Sequence, residues 1–130
     1  MYLCYNGEIL LLAEGLTGDQ MTNTLFDDAA PDPIDLGSAP YTGSFQPQGT
    51  GFGLIETPTI TTLAGLNGLD PNGTWTLRVY DTLPDSRVGA LESATLNITS
   101  VPVPPQVLGT LLVGVIGAAK QWRKQRTKTS

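Results

Sequence analysis

The chain has 130 residues, a formal net charge of −5, 15 glycines, 10 prolines, one cysteine and no histidine. All twelve acidic residues but only two of the seven basic ones lie before residue 106, so this part of the chain has a net charge of −10. Such a charge argues against nucleic-acid binding, because contacts to phosphates require lysine and arginine. One cysteine excludes an internal disulfide, and the lack of histidine argues against serine- or cysteine-hydrolase chemistry.

The first predicted element is a β-hairpin. Two apolar runs, YLCY at 2–5 and EILLLA at 8–13, flank Asn6-Gly7, a dipeptide that accepts the positive φ angles of a tight hairpin turn. Within it, Cys4 is predicted to be a small buried apolar residue. The region that follows, residues 15–73, is rich in glycine and proline and has only short apolar islands, so we expect long loops.

Two further strands are predicted nearer the carboxyl end. Residues 73–81 alternate apolar Trp75, Leu77 and Val79 with polar side chains, after an Asp-Pro-Asn-Gly turn at 70–73. Residues 91–99 alternate in the same way, and we expect the two to be neighbouring antiparallel strands. The indole of Trp75 is expected to lie in the core. Composition and periodicity thus predict a β-sandwich with long loops.

The chain ends in a different kind of sequence. Residues 107–119 contain no charge and, as a helix, span about 20 Å at ~1.5 Å per residue, short of the ~30 Å hydrocarbon core. Lysine and tryptophan at the membrane interface extend that reach, so we predict one short transmembrane helix over 107–122 and a basic cytoplasmic stub over 123–130. The predicted anchor residues are Val107, Leu108, Leu111, Leu112, Val113, Val115 and Ile116, and the basic stop comprises Lys120, Arg123, Lys124 and Arg126.

Four blocks of the body resemble the P domain, or P/Homo B domain, of subtilisin-like proprotein convertases. They are FDDAA at 26–30, GSAPYTGSFQPQG at 37–49, LNGLDPNGTWTLRVYD at 66–81 and GALESATLNI at 89–98. The resemblance implies a jelly-roll-like antiparallel β-sandwich over 1–100. Two departures are Ala94, where the family usually has an aromatic residue, and a start inside the first hairpin without a signal peptide, from which we expect a longer natural protein.

The order of a proline-rich stretch, an apolar run and a basic stub over residues 101–126 resembles the PEP-CTERM sorting signal, which a bacterial membrane transpeptidase called exosortase processes. A proline-rich linker at 101–106 contains Val101, Pro102, Val103 and Pro104, with Val103 where that family has glutamate. The resemblance implies an exported protein at the cell surface or outer envelope. Its tail is expected to anchor it in the membrane before processing.

A calcium site is a further prediction for the body. Asp27 and Asp28 follow Phe26 directly, and together with Asp81 they supply the hard oxygen donors that calcium prefers. Some P domains contain calcium, so the resemblance favours the same cofactor. The structural alternative is that Asp27 and Asp28 cap turns through their side-chain oxygens.

Three functions follow from these features, and none makes this chain an enzyme by itself. The first is a non-catalytic, exported P domain that acts as a binding or stabilising module at the cell surface. The second is the accessory domain of a subtilisin-like serine endopeptidase, which braces a catalytic domain encoded upstream or elsewhere and so takes part in proteolysis. The third is a calcium-dependent module that binds surface polysaccharide.

Overall fold

The computed structural model describes residues 1–18, 20–82 and 89–100. It divides the chain into two compact units, Met1–Ala90 and Leu91–Ser130. The predicted linker at 101–106, transmembrane segment at 107–122 and basic stub at 123–130 all lie outside the described residues. Within the described ranges, no helix is both long and apolar enough to cross a bilayer.

The first unit is built from short strands and 3-10 helices. In chain order the strands are β1 (Tyr2–Tyr5), β2 (Glu8–Leu11), β3 (Thr24–Phe26), β4 (Gly43–Phe45) and β5 (Thr76–Arg78), with 3-10 helices at Ile34–Leu36 and Leu63–Leu66. The predicted class is confirmed at the coarse level, since the described residues are β-rich and contain no α-helix. Long connections join these elements because the glycine- and proline-rich sequence interrupts every apolar run.

The predicted amino-terminal hairpin is confirmed. β1 and β2 pair antiparallel with Tyr5 opposite Glu8, so the loop between them is the two-residue Asn6-Gly7. Both loop residues have positive φ, 51° for Asn6 and 82° for Gly7. This is the backbone twist that suits a tight hairpin, and asparagine followed by glycine adopts it at least cost.

A three-stranded antiparallel sheet forms around β1, in the order β2-β1-β5. Successive side chains of β1 point to opposite faces. Tyr2 and Cys4 therefore join Leu11 in one buried cluster, while Leu3 joins Leu10 and Leu12 in a second. Because both faces are covered, every residue of β1 is buried.

Trp75, predicted to lie in the core, is half-buried at its edge. Trp75 packs with Leu77 against the cluster of Leu3, Leu10 and Leu12. Its ring stacks on Tyr5 with centroids 3.7 Å apart and planes 8° from parallel. The indole Nε1 donates a hydrogen bond of 3.1 Å to the Pro71 carbonyl, so its polar group is satisfied.

A second, two-stranded ladder pairs β3 with β4, and these strands are parallel. Parallel neighbours need a crossover between them, and here the crossover contains the first 3-10 helix. Tyr41 and Phe45, the last residue of β4, pack beside Ala13 and Ile34, with the two rings edge to face at 6.4 Å. The antiparallel prediction therefore holds for the first sheet and not for this ladder.

Two details of the predicted strands are wrong. β5 covers only Thr76–Arg78, because Arg78 lies opposite Tyr2, the first residue of β1, and Val79 beyond it is 52% exposed. Residues 91–99, predicted to form the neighbouring strand, have no strand structure and are exposed. Alternation of apolar and polar residues indicates strand propensity, but ladder hydrogen bonds require a partner backbone.

Candidate functional site

The two aspartates that follow β3 bind backbone amides. Oδ1 of Asp27 accepts a hydrogen bond from the amide of Ala29 at 2.9 Å, which is the turn-capping alternative for this residue. The carboxylate of Asp28 reaches much farther along the chain. It accepts from the amides of Leu63 at 2.9 Å and Ala64 at 2.7 Å, at the start of the second 3-10 helix.

The third predicted calcium ligand, Asp81, is exposed beyond the end of β5. Nowhere in the described ranges do three or more histidine, cysteine, aspartate or glutamate side chains gather into a group suited to a metal ion. Asp27, Asp28 and Asp81 are therefore not brought together in such a group, and calcium stays a prediction.

A cleft of about 290 Å³ lies beside Asp28, and we call it the Asp28 cleft. The rings of Pro33 and Pro47 provide its apolar walls. Its polar lining, apart from the carboxylate, consists of uncharged amides and hydroxyls, from Gln46, Gln48, Thr61 and Thr62. All of these residues belong to the first unit.

Gln46 holds one wall of the Asp28 cleft in place. Its side-chain Nε2 donates to the Ala30 carbonyl at 2.6 Å, and its backbone amide donates to the Asp32 carbonyl at 2.9 Å. The Gln46 carbonyl in turn accepts from the amide of Ile34 at 3.1 Å. Because these bonds join 30–34 to the end of β4, the turn after β3 and this wall form one structure.

Gln48 ties the cleft to the main sheet. Its amide donates to the Leu12 carbonyl at 3.0 Å, and its Oε1 accepts from the amide of Glu14 at 2.8 Å. Gly49, next in sequence, has a φ of 74°, and a β-carbon there would lie 2.6 Å from the Thr61 carbonyl oxygen. The segments that line the cleft are thus in close contact with one another.

A separate polar cluster joins residues 55–56 to the three-stranded sheet. The buried Tyr2 hydroxyl accepts from the amides of Ile55 at 3.1 Å and Glu56 at 3.3 Å. The Glu56 carboxylate pairs with Arg78 and accepts from the Tyr80 hydroxyl at 3.2 Å. The polar groups of this cluster are partners for one another, and they hold residues 55–56 against the sheet. We therefore assign the cluster a structural role.

Comparison of the chain with family models, with curated proteins and with solved structures finds no match. The resemblances to the P domain and to the PEP-CTERM signal therefore rest on the sequence motifs described above.

The structure brings together residues that the sequence does not single out. Of the residues that line the Asp28 cleft, only Asp28 itself is predicted as functional, and for metal binding. Glutamine, threonine and proline in loops have no spacing that predicts a pocket. The sorting motif at 101–104, the anchor residues between 107 and 116 and the basic stop between 120 and 126 lie outside the described residues.

Proposed function

We propose that this chain is a non-catalytic, exported module of the P-domain type, which binds or stabilises a partner at the cell surface and is anchored by its carboxyl-terminal tail. The proposed fold of the body is a jelly-roll-like antiparallel β-sandwich. The β-rich first unit supports this fold at the level of its secondary structure.

The observation that supports the proposal most directly is the position of Phe26. It packs against the cluster of Leu3, Leu10 and Leu12 together with Trp75, and against the cluster of Ala13, Ile34 and Tyr41 together with Phe45. Phe26, Phe45 and Trp75 come from three of the four sequence blocks that resemble the P domain. Blocks that are far apart in the chain therefore share one core.

A non-catalytic role is supported by the chemistry of the side chains. No histidine exists anywhere in the sequence to act as a base near neutral pH. The carboxylate oxygens of Asp27 and Asp28 accept hydrogen bonds from backbone amides. A nucleophile paired with a base, which covalent catalysis requires, is not among the residues that line the Asp28 cleft.

The anchoring part of the proposal is supported by the order of sequence features at the carboxyl end. An uncharged run at 107–119 is followed directly by five cations, which favours a span with its basic end in the cytoplasm. An exosortase-type transpeptidase is the proposed processing partner. The body would then lie outside the cytoplasm.

Membrane fractionation tests this proposal. The full chain, preceded by a bacterial export signal, is expected in the membrane fraction with its body accessible to external protease. Leu111→Arg with Val113→Arg should release it, because charges inside the span cost several kcal/mol. Thr127→Arg with Thr129→Arg adds the same charge outside the span and should leave the chain in the membrane. A soluble full chain, or retention that ignores the first pair of changes, would overturn the proposal.

A further inference from the structure

The uncharged polar groups of the Asp28 cleft have hydrogen-bonding capacity that the protein does not use. Among the residues that the structure describes, no partner is found for Oε1 of Gln46, Nε2 of Gln48 or the hydroxyls of Thr61 and Thr62. The amide groups supply one acceptor and one donor, and each hydroxyl can do either. A ligand in the cleft therefore meets both donors and acceptors.

The lining also determines which ligands the cleft does not suit. An anion would meet the Asp28 carboxylate and no basic residue, since none of the residues that line the cleft is cationic. A cation would meet the Asp28 carboxylate, whose two oxygens each already accept a hydrogen bond from a backbone amide. Those hydrogen bonds compete with binding of a cation. A wholly apolar ligand would leave the four unpaired polar groups without water or partners, which is costly.

We propose that the Asp28 cleft binds one ring of a neutral carbohydrate. A sugar ring presents hydroxyl groups around its edge, which match the amides and threonine hydroxyls, and C–H faces, which match Pro33 and Pro47. The volume of about 290 Å³ lies just below the roughly 300–1,000 Å³ of small-molecule sites, so it suits no more than a single ring. Thr61 and Thr62 are exposed, which leaves room for the rest of a longer chain.

The walls of the cleft are held by hydrogen bonds within the protein. Asp28 joins the turn after β3 to the amides of residues 63 and 64, directly after the two threonines. Gln46 and Gln48 each use one end of the side-chain amide on the protein and leave the other end for a ligand. Binding at walls that are fixed in this way loses little conformational entropy.

This inference rests on the proposed role as a surface binding module, and its test is independent of membrane anchoring. The full chain, kept in a zwitterionic detergent without a sugar headgroup, is titrated with soluble neutral hexasaccharides of glucose, xylose and N-acetylglucosamine. Saturable binding of at least one is expected, measured by calorimetry and by saturation-transfer NMR.

The matched variants locate the site. Thr61→Val with Thr62→Val removes two hydroxyls at nearly constant volume and should weaken binding about tenfold, the equivalent of two hydrogen bonds. Thr22→Val with Thr42→Val makes the same change at two exposed threonines away from the cleft and should leave binding unchanged. Near-UV circular dichroism confirms that each variant is folded.

Two results would overturn the proposal. Absence of binding to every oligosaccharide at 10 mM, roughly the weakest affinity of interest for such a site, rejects the ligand class. Binding that Thr61→Val with Thr62→Val does not weaken rejects the cleft as the site. Either result leaves membrane retention, the test of the proposed function, unaffected.

Discussion

Asp28 makes the most consequential single-residue contact near the cleft, because its carboxylate joins segments that are 35 and 36 residues apart. If the Asp28 carboxylate is removed, two backbone amides at the start of a 3-10 helix lose their hydrogen-bond acceptor. We expect Asp28→Ala to lower the free energy of unfolding by about 1–3 kcal/mol, measured by urea denaturation.

The control for Asp28 is Asp35→Ala. Asp35 is exposed within the first 3-10 helix, and no hydrogen bond to its carboxylate is found among the described residues. Its loss should change the free energy of unfolding little. Equal effects of the two changes would show that the long-range cap adds nothing to stability.

Gly49 is a second position where one residue type is required. Its φ is 74°, and the Thr61 carbonyl oxygen would lie 2.6 Å from an added β-carbon. Gly53 also has a positive φ, 64°, but nothing lies within 4 Å of the equivalent position. Both alanine substitutions incur the strain of the left-handed conformation, about 1–2 kcal/mol. Gly49→Ala should cost roughly 1 kcal/mol or more beyond Gly53→Ala, since the backbone at Thr61 must also move.

Thermal melts of the two glycine variants provide the comparison. A lower melting temperature for Gly49→Ala than for Gly53→Ala is the expected order. If the order were reversed, residues 49 and 61 would not be in the close contact that the structure describes.

At the scale of elements, the hairpin of β1 and β2 organises the first unit, because β1 is the central strand of its sheet. The turn needs positive φ at both Asn6 and Gly7. Gly7→Val places a β-branched residue at a φ of 82°. This change should lower the free energy of unfolding by at least about 1–2 kcal/mol. Asn6→Gly keeps the required conformation and should be nearly neutral.

Urea denaturation of both turn variants, followed by circular dichroism, tests this. Destabilisation by Gly7→Val with Asn6→Gly close to the parent chain is the expected pattern. Parent-like stability of Gly7→Val would mean that the turn does not constrain the register of the strands.

At the scale of the whole molecule, Cys4 reports on the integrity of the core. It is 8% exposed in a cluster with Tyr2 and Leu11. Burial raises the pKa of its thiol above the ordinary value of 9.0, and the charge of Arg78 opposes that shift only in part.

The sign of the pH dependence follows from this shift. The folded chain keeps the thiol proton to a higher pH than the unfolded chain does. The associated stability is therefore complete below about pH 9 and is lost as the pH rises through the folded pKa. We expect the free energy of unfolding to fall as the pH rises above about 9, and to fall less steeply in Cys4→Ala.

Denaturation at several pH values compares the two chains. The difference in slope isolates the thiol, because Tyr80, whose pKa is raised by desolvation and next by Glu56, is present in both. Identical slopes would show that Cys4 is accessible to water in the folded chain.

Calcium binding also belongs to this scale, since any site for it must be assembled from distant segments. If calcium binds Asp27, Asp28 and Asp81, the melting temperature should be higher in millimolar calcium than in chelator. Millimolar calcium is a large excess over a micromolar dissociation constant, and a ligand in excess stabilises the folded chain that binds it. Asp81→Asn should abolish that difference. Identical melts in calcium and in chelator would remove the metal from the proposed function.

Local chemistry alone was enough to predict the amino-terminal hairpin and the packing of Trp75 against the core. Asn-Gly between two apolar runs selects a tight turn, and an indole alternating with Leu77 requires a core. Local chemistry was insufficient for residues 91–99, because a strand forms only when another backbone accepts its hydrogen bonds. The parallel pairing of β3 with β4 was missed for the same reason, since neither three-residue run specifies its neighbour.

The amino-acid sequence by itself determined the β-rich class, the two-residue turn, the acidic body and the composition of the tail, because each depends on residue type and spacing alone. Only the tertiary structure decided that Asp28 caps a helix 35 residues away and that two glutamines, two threonines and two prolines line one cleft. Such contacts depend on how loops return to the same place, and no periodicity in the chain encodes that path.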